Sequence, residues 1–429
     1  MKNLKLIGPI SQALTLDHLP LKGALKDDQL EIIEEAGILI EGNKILQVGK
    51  WEKLCKDFPK AEIYKMKGDF VASPGIVDCH THICFGGSRA KDFAMRNAGK
   101  TYLEIAQAGG GIWDSVTQTR NLNHFHLAQI TAAHANRHLS EGVTTIEVKS
   151  GYGLSVEEEL KILKAIQEAR DLTSADLIPT CLAAHMNPKD FPGSNSEYLQ
   201  MISEELFPIL KRENLTYRMD AFVEKSAFSP EEIKPYFQKA KDLGFDLTVH
   251  ADQFTVGGSK VAVDLGALSA DHLEASSDAE IHYLAKSNTI SVTLPGASLG
   301  LGCAFAPARK ILDQGGALAI ASDWNPGSAP MGDLLTQASI LATFEKLSTA
   351  EVFAGITFRA AAALGLSDRG RLTPGQWADF ILFPTKDYRE ILYHQGKMKP
   401  MEVWKSGSKE NKKTGGMEAW KFGERRPIS

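Results

Sequence analysis

One segment of the chain, residues 75–82, reads GIVDCHTH, an apolar run that ends in two histidines one residue apart. Successive side chains of a β-strand point to opposite faces, so His80 and His82 are expected to point the same way. Two adjacent imidazoles supply half of the ligands that a zinc or iron ion needs. Without further ligands they would be two loop histidines bonded to backbone, so the interpretation depends on the rest of the chain.

Size and composition are those of an ordinary globular protein. The 429 residues are 43% hydrophobic and 24% charged, which is enough apolar sequence for a large core. A formal net charge of −5 argues against a nucleic-acid-binding surface. We find no signal peptide and no run of about 18 apolar residues, so no membrane segment is expected. Five irregularly spaced cysteines favour a reduced, cytoplasmic protein.

Strand-like apolar runs alternate with helix-like segments after residue 70. The runs lie at residues 75–82, 142–149, 176–185, 217–224, 245–250, 267–272, 289–294 and 317–323. This alternation predicts an α/β fold of the (β/α)8 barrel type, in which functional residues come from the C-terminal ends of the strands. The polar residues at those ends are His80, His82, Lys149, His185, Glu224, His250, His272 and Asp323. We therefore expect these side chains to converge on one mouth of the barrel.

Two of the intervening helices have clear start signals. Residues 155–158 and 229–232 each have the sequence pattern of a capping box, followed by apolar residues at helical spacing. Gly244 marks the end of the second helix. Pro235, inside that helix, predicts either a kink or a later start.

The two ends of the chain are predicted to form a second, smaller β domain. Residues 37–40 and 44–48 have the pattern of a hairpin with Gly-Asn at its turn. Residues 370–383 read as a turn and a strand that returns to pair with the N-terminal part. The expected organisation is a composite β-sandwich domain from residues 1–70 and 367–408, a barrel from residues 71–366, and a polar tail at residues 409–429.

Several motifs resemble those of a known family. The histidines 80, 82, 250 and 272, together with Asp323 after the eighth strand, match the pattern of the amidohydrolase superfamily. The longer motifs resemble the imidazolonepropionases within it: GGGI at 109–112, Thr119-Arg120, EVKSGYG at 147–153, SADHLE at 269–274 and SDWNPGSAP at 322–330. The resemblance covers about residues 37–385. It implies hydrolysis of 4-imidazolone-5-propanoate to N-formimidoyl-L-glutamate, a step of histidine breakdown.

The resemblance also implies a metal centre. One zinc or iron ion per chain would be held by His80, His82, His250 and Asp323. Such an ion activates water and polarises the carbonyl of a cyclic amide. Asp323 would carry the proton to the leaving nitrogen, while His272 and Gln253 would lie beside the water. The alternative for Asp323 is a turn-forming residue before Asn-Pro.

Substrate contacts are implied in the same way. Arg89 and Tyr152 would hold the propionate carboxylate, for which a guanidinium is well suited. The ring and the product would be held by His185, Gln253, Asn325, Gly327 and Ser328. Gln253 departs from relatives that have been assigned a glutamate base, and a neutral amide can only orient water or substrate. Outside the family, Arg89 would be a solvated loop residue and Tyr152 ordinary packing.

Several interpretations stay open on the sequence alone. Glu224 stands where two-metal relatives place a bridging ligand, so the site holds one metal or two. Lys149 is either an ion-pair partner or a substrate neighbour. His134 and His138, one helical turn apart, form either a metal pair or, more simply, a polar stripe on an outer helix. The glycines at 109–111 form either part of a lid or a tight turn.

Two other functions compete with the hydrolase. A heterocycle deaminase would use the same ligands, but the pair of Arg89 and Tyr152 favours a substrate that carries a carboxylate. A metal-free scaffold on the same barrel would have lost metal ligands, and here the whole set is present. The expected partner is therefore a small carboxylate-bearing molecule, without nucleic acid or membrane, and a homodimer is expected.

Overall fold

The computed structural model describes residues 4–410 and begins with a sheet to which both chain ends contribute. Its N-terminal elements are β1 (Leu4–Leu14), β2 (Ile32–Glu41), β3 (Lys44–Lys50), α1 (Trp51–Asp57), β4 (Glu62–Lys65) and β5 (Val71–Pro74). β2 and β3 form the predicted antiparallel hairpin. Its turn contains Gly42 at φ +64°, a left-handed conformation that glycine adopts without strain.

The barrel strands follow in chain order. They are β6 (Ile76–Asp78), β7 (Val143–Lys149), β8 (Asp176–Ala184), β9 (Arg218–Val223), β10 (Asp246–Ala251), β11 (Ser269–His272), β12 (Ile290–Thr293) and β13 (Leu318–Ile320). Each strand pairs in parallel with the next, which confirms the predicted eight-stranded barrel. The strands are buried nearly throughout, because helices cover one face and side chains fill the other.

A seam between the first and last barrel strands brings distant parts of the chain together. The Asp323 N–H donates to the His80 carbonyl at 3.1 Å, and the His82 N–H donates to the Trp324 carbonyl at 2.9 Å. We call this contact between residues 80–82 and 323–324 the seam. It lies at the C-terminal ends of β6 and β13, where barrel enzymes place their functional groups.

Helices pack around the barrel and lie between its strands. They are α2 (Ala90–Asn97), α3 (Tyr102–Gln107), α4 (Ile112–Arg120), α5 (His124–Ser140), α6 (Val156–Ala169), α7 (Asn195–Glu213), α8 (Pro230–Asp242), α9 (Gly258–Leu265), α10 (Asp278–Lys286), α11 (Pro295–Leu301), α12 (Ala308–Asp313), α13 (Leu334–Glu345), α14 (Thr349–Gly355) and α15 (Phe358–Ala363), with α16 (Arg389–Tyr393) further along the chain. Within residues 4–410, no helix combines the length and the apolar character needed to cross a membrane.

The predicted helix starts are found, with two differences. α8 has the complete capping box at residues 229–232 and begins at Pro230, so the later start considered for Pro235 is wrong, and the helix continues through that proline. Its buried apolar face, packed on the barrel, keeps the helix continuous. α6 has only half of its capping box: Ser155 Oγ accepts the Glu158 N–H at 3.3 Å, but the Glu158 carboxylate pairs with Lys161 at 2.5 Å.

The C-terminal strands complete the first sheet. They are β14 (Phe380–Phe383), β15 (Glu402–Lys405) and β16 (Ser408–Lys409). The sheet order is β16-β15-β14-β5-β1-β2-β3, with β4 beside β1, so both chain ends build one separate sheet as predicted. β5, which was expected to begin the barrel, lies in this sheet because it pairs with β1 and β14. From residue 411 onward, the predicted polar tail lies outside the described residues.

Candidate active site

Three buried histidines face one another beside the seam. The ligand atoms of His80, His82 and His250 all lie within 4.8 Å of one another, and Nε2 of His250 is 3.3 Å from Nε2 of His82. Asp323 completes the group: its Oδ1 is 3.6 Å from His80 Nε2 and 3.5 Å from His82 Nε2. The structure thus brings together the four residues predicted as metal ligands.

Two buried carboxylates orient two of these histidines. Asp271 Oδ2 lies 2.7 Å from His80 Nδ1, and Asp220 Oδ2 lies 2.8 Å from His250 Nδ1. A carboxylate at Nδ1 holds the ring proton there and leaves the Nε2 lone pair free. His80 Nε2 is buried and has no hydrogen-bond partner among the described residues. Lone pairs that converge without a proton between them fit a bound cation, so the donor set is suited to a metal ion.

A buried lysine lies behind these carboxylates. Lys149 Nζ is 2.7 Å from Glu147, 2.8 Å from Asp220 and 3.8 Å from Asp271. Burial lowers the pKa of Lys149, but the three carboxylates outweigh burial and hold that pKa above its usual value. Burial raises the pKa of Glu147 to about 7. Lys149 is therefore an ion-pair partner, and its charge balances the groups that orient the histidines.

Asp323 divides its two oxygens between different neighbours. Oδ1 faces the histidines, whereas Oδ2 accepts the Asn325 Nδ2–H at 2.9 Å and the Ser328 hydroxyl at 3.3 Å. The Asn325 Oδ1 in turn accepts the N–H groups of Gly327 and Ser328, both at 2.8 Å. Burial raises the pKa of Asp323 to about 6. Asn325 and Ser328, predicted as substrate contacts, thus also fix the orientation of Asp323.

His272 lies on the other side of the cluster. Its ring centroid is 5.7 Å from that of His80 and 5.3 Å from that of His250. Burial lowers the pKa of His272, but Glu274 and Asp323 outweigh burial, so that pKa lies above its usual value. The backbone is left-handed here, with φ +85° at His272 and +51° at Asp323, a strain that is common at active sites.

Tyr152 and His185 form a wall beside His82. The ring of His185 is stacked on that of His82 with centroids 5.7 Å apart, and Tyr152 lies 6.0 Å from His82 and 5.8 Å from His185. Nδ1 of His185 donates to the Gly151 carbonyl at 2.9 Å, which leaves its Nε2 free. Burial raises the pKa of Tyr152, so its phenol stays protonated and can donate a hydrogen bond.

Arg89 reaches from the segment after β6 to the loop after β13. Its Nε donates to Asp92 at 2.8 Å, and the Asp92 carboxylate also accepts the Gly111 N–H at 2.8 Å. A Cβ at Gly327 would lie 2.3 Å from Arg89 Nη1, so the guanidinium lies directly against this glycine. The predicted carboxylate-binding residue therefore lies against the loop that carries Asp323 and Asn325.

Glu224 is directed toward a loop, not toward the histidines. One oxygen accepts the N–H groups of Phe254 and Thr255 at 2.9 and 3.0 Å, and the other accepts the Thr255 hydroxyl and the Lys225 N–H. Both oxygens are thus occupied by donors that hold the loop after β10. This loop carries the half-buried Gln253. Glu224 is therefore not grouped with the ligand atoms of the three histidines.

The predicted polar stripe of His134 and His138 is wrong. His138 is fully buried, with Nε2 3.2 Å from Asp78 Oδ2, and His134 Nδ1 bonds the Ile83 carbonyl at 2.9 Å. Both rings contact Trp324, at 4.7 and 4.9 Å between centroids. The two histidines lie on the face of α5 that packs against the barrel, so they support the seam from behind.

The carboxylates that support the histidines were not among the predicted site residues. These are Glu147, Asp220, Asp271 and Glu274. Asp220 interrupts an apolar strand, and Asp271 directly precedes His272 in a buried strand. A charged side chain inside a buried strand is rarely tolerated without a partner, and that signal could have revealed both.

Comparisons with known proteins place the chain among metal-dependent hydrolases. Residues 71–409 match the model of the amidohydrolase family. The chain is 39% identical over 412 residues to an imidazolonepropionase of Bdellovibrio bacteriovorus, covering 94% of this chain and 96% of that protein. It is 39% identical over 405 residues to one of Bacillus mycoides, covering 93% and 95%. A triazine hydrolase variant has a similar fold, with a TM-score of 0.74 at 18% identity over 95% of this chain and 94% of that one.

Proposed function

This chain belongs to the imidazolonepropionases of the amidohydrolase family, and we propose that it hydrolyses 4-imidazolone-5-propanoate to N-formimidoyl-L-glutamate. The observation that carries this proposal is the position of Arg89. Its guanidinium lies against Gly327, in the loop whose Asn325 and Ser328 hold Asp323. A site for a carboxylate is therefore adjacent to a site for metal-assisted hydrolysis.

The metal ion would be held by His80, His82, His250 and Asp323. When bound, it would lower the pKa of a water molecule and polarise the amide carbonyl. Nitrogen and carboxylate ligands suit zinc and iron alike, so we propose one ion of either kind per chain. Elemental analysis of the purified protein is expected to give one equivalent of zinc or iron, and two equivalents would contradict the single site.

The chain's own residues would bind the substrate and move its protons. The propionate carboxylate would lie between Arg89 and Tyr152, which would fix the ring against the histidine cluster. As water adds to the carbonyl carbon, Asp323 Oδ1 would take a proton from that water. It would then pass this proton to the ring nitrogen as the C–N bond breaks. His272 would donate a hydrogen bond to the oxygen on which negative charge develops.

The remaining predicted contacts would orient the ring and the product. His185 would use its free Nε2, and Gln253 would orient the water or the ring through its amide. Asn325, Gly327 and Ser328 line the loop that would receive the product. In the structure, Asn325 and Ser328 of this loop already hold the Asp323 carboxylate in place.

The proposed activity is tested by adding freshly prepared 4-imidazolone-5-propanoate and following the loss of its absorbance. Ammonia is measured in parallel, because a heterocycle deaminase would release it and the proposed hydrolase would not. We expect loss of substrate without ammonia. An unchanged substrate, or one equivalent of ammonia, would refute the proposal.

Compartment and assembly belong to the same proposal. All five cysteines are free thiols, which supports a reducing, cytoplasmic location. We also propose a homodimer, as the family resemblance implies. Light scattering on the purified protein is expected to give twice the mass of one chain, and a monomer at micromolar concentration would exclude the dimer.

A further inference from the structure

One fully buried carboxylate, close to the wall formed by Tyr152 and His185, has no part in the proposed reaction. Glu159 of α6 accepts three backbone N–H groups from the preceding loop. One oxygen accepts from Gly151 at 3.1 Å, and the other accepts from Gly153 and Leu154, each at 2.8 Å. A carboxylate that accepts from three loop N–H groups in the interior is a costly arrangement, since burial raises its pKa and disfavours its charge.

The loop that it holds has an unusual conformation. Gly151 has φ +102°, and Leu154 has φ +56°, a left-handed conformation that leucine rarely adopts. A Cβ at Gly153 would lie 2.6 Å from backbone atoms of α6, so the loop is pressed against the start of that helix. Buried N–H groups without partners would each be destabilising. Glu159 provides the acceptors that this backbone conformation requires.

The same loop supplies Tyr152, one of the two rings of the wall beside His82. Tyr152 lies between the N–H groups that Glu159 holds, and the Gly151 carbonyl accepts the hydrogen bond from His185 Nδ1. Holding that carbonyl in place keeps the proton of His185 on Nδ1 and the lone pair on Nε2. The positions of both rings beside His82 therefore depend on the conformation of residues 151–154.

We propose that Glu159 is a positioning residue for substrate binding. It acts through the loop backbone, without touching the substrate, and keeps Tyr152 and His185 in place beside the metal ligands. This inference rests on the proposed function, because it takes Tyr152 as a contact of the substrate carboxylate. A small displacement of a positioned group can cost about a hundredfold in rate.

Only a carboxylate can accept from all three donors. In Glu159→Gln one oxygen is replaced by an NH2 group, which would face either the Gly151 N–H or the other two N–H groups. We expect kcat/KM for 4-imidazolone-5-propanoate to fall about 10- to 100-fold, with most of the change in KM. Glu159→Asp keeps the charge but shortens the reach, so we expect a smaller rise in KM.

The experiment compares these two variants with Glu157→Gln, an exposed position on the same helix. Three kinds of measurement are made on the metal-loaded enzymes: steady-state kinetics for KM and kcat, metal content, and hydrogen exchange of the peptide that contains residues 151–154. For Glu159→Gln we expect a raised KM, unchanged metal content and at least tenfold faster exchange in that peptide. Glu157→Gln is expected to match the wild type in all three.

Two outcomes would overturn the proposal. One is wild-type KM and wild-type exchange in Glu159→Gln. The other is a fall in kcat at unchanged KM, in proportion to lost folded protein, which would show a structural role only. If Glu159→Gln does not fold, Glu159→Asp decides by the same readouts. Inactivity of the wild-type enzyme would instead count against the proposed function, because the exchange measurement needs no turnover.

Discussion

At the scale of single residues, Asp323 connects the metal ligands to the substrate loop. Its Oδ1 faces His80 and His82, and its Oδ2 is held by Asn325 and Ser328. A carboxylate that is held at one oxygen and faces the metal site with the other is well placed to take a proton from water there and deliver it in a fixed direction.

Replacement of this carboxylate gives the first prediction. Asp323→Asn keeps the size of the side chain but removes the proton carrier, so we expect kcat to fall by about 10² to 10⁴ with the fold retained. Steady-state kinetics and circular dichroism measure the two effects. Asp313→Asn, at an exposed position, is the matched control. Activity within about threefold of the wild type would remove Asp323 from the mechanism.

The second prediction concerns Arg89. Arg89→Met keeps the length and removes the charge, so kcat/KM should fall by the equivalent of about 2–4 kcal/mol. With the wild type, a substrate analogue that has an amide in place of its carboxylate should show an equal fall in kcat/KM. With the variant, the same analogue should show little further fall. Arg212→Met, an exposed arginine, is the control. Simple addition of the two losses would mean that Arg89 does not contact the carboxylate.

The sequence predicts which residues come together at the metal site, but it does not predict the hydrogen bonds that orient them. His80, His82 and Asp323 follow apolar strands, and a barrel brings strand ends together. The bond from Asn325 to Asp323 depends on the left-handed backbone at Asp323, with φ +51°. Aspartate adopts that conformation only occasionally, so the residue type alone does not predict it.

At the scale of elements, β7 carries a charged residue into the barrel interior. Lys149 at its end is fully buried between Glu147 and Asp220, and Asp220 orients His250. Removal of one partner from a buried ion pair leaves an uncompensated charge, which is far more costly than loss of the pair's attraction. The metal site and the stability of the barrel are therefore coupled through this strand.

The third prediction tests this coupling. Lys149→Met should lower the free energy of unfolding by about 3–5 kcal/mol and weaken metal binding about 10- to 100-fold. Denaturant titration and competition with a chelator measure the two losses. Lys164→Met removes an exposed lysine that pairs with Glu213, and it should cost less than about 1 kcal/mol. If the free energy of unfolding falls no more in Lys149→Met than in this control, the proposed link between Lys149 and the stability of the barrel is contradicted.

Element types were more predictable than the orientation of their faces. The barrel strands are continuous apolar runs that end in polar residues, a pattern with few alternatives. α5 was harder, because His134 and His138 look like a polar stripe when burial is not known. Their partners, Asp78 and Trp324, lie in other parts of the chain, so only the folded structure shows which face of α5 is inside.

At the scale of the whole molecule, a buried lysine links the small sheet to the barrel. Lys405 of β15 lies 2.8 Å from both Asp379 and Asp176, and Asp176 begins β8. This contact is at the N-terminal end of the barrel strands, opposite the active-site mouth. Residues at that end of a barrel contribute to stability and not to catalysis.

The fourth prediction separates these two ends. Lys405→Met should lower the free energy of unfolding by about 3–5 kcal/mol, because Asp379 stays buried without its partner. KM and metal content of the folded enzyme should not change. Lys409→Met, at an exposed position on the neighbouring strand, should leave both stability and KM close to wild type. A raised KM in Lys405→Met would show that the sheet also shapes the substrate site.

In the proposed reaction this barrel opens a cyclic amide by adding water at its C–N bond, and isotope labelling follows the added oxygen atom. The wild-type enzyme is incubated with 4-imidazolone-5-propanoate in water enriched in ¹⁸O, and the product is examined by mass spectrometry. We expect N-formimidoyl-L-glutamate with one ¹⁸O atom in its new carboxylate. An unchanged substrate, or a product that has lost ammonia, would contradict it.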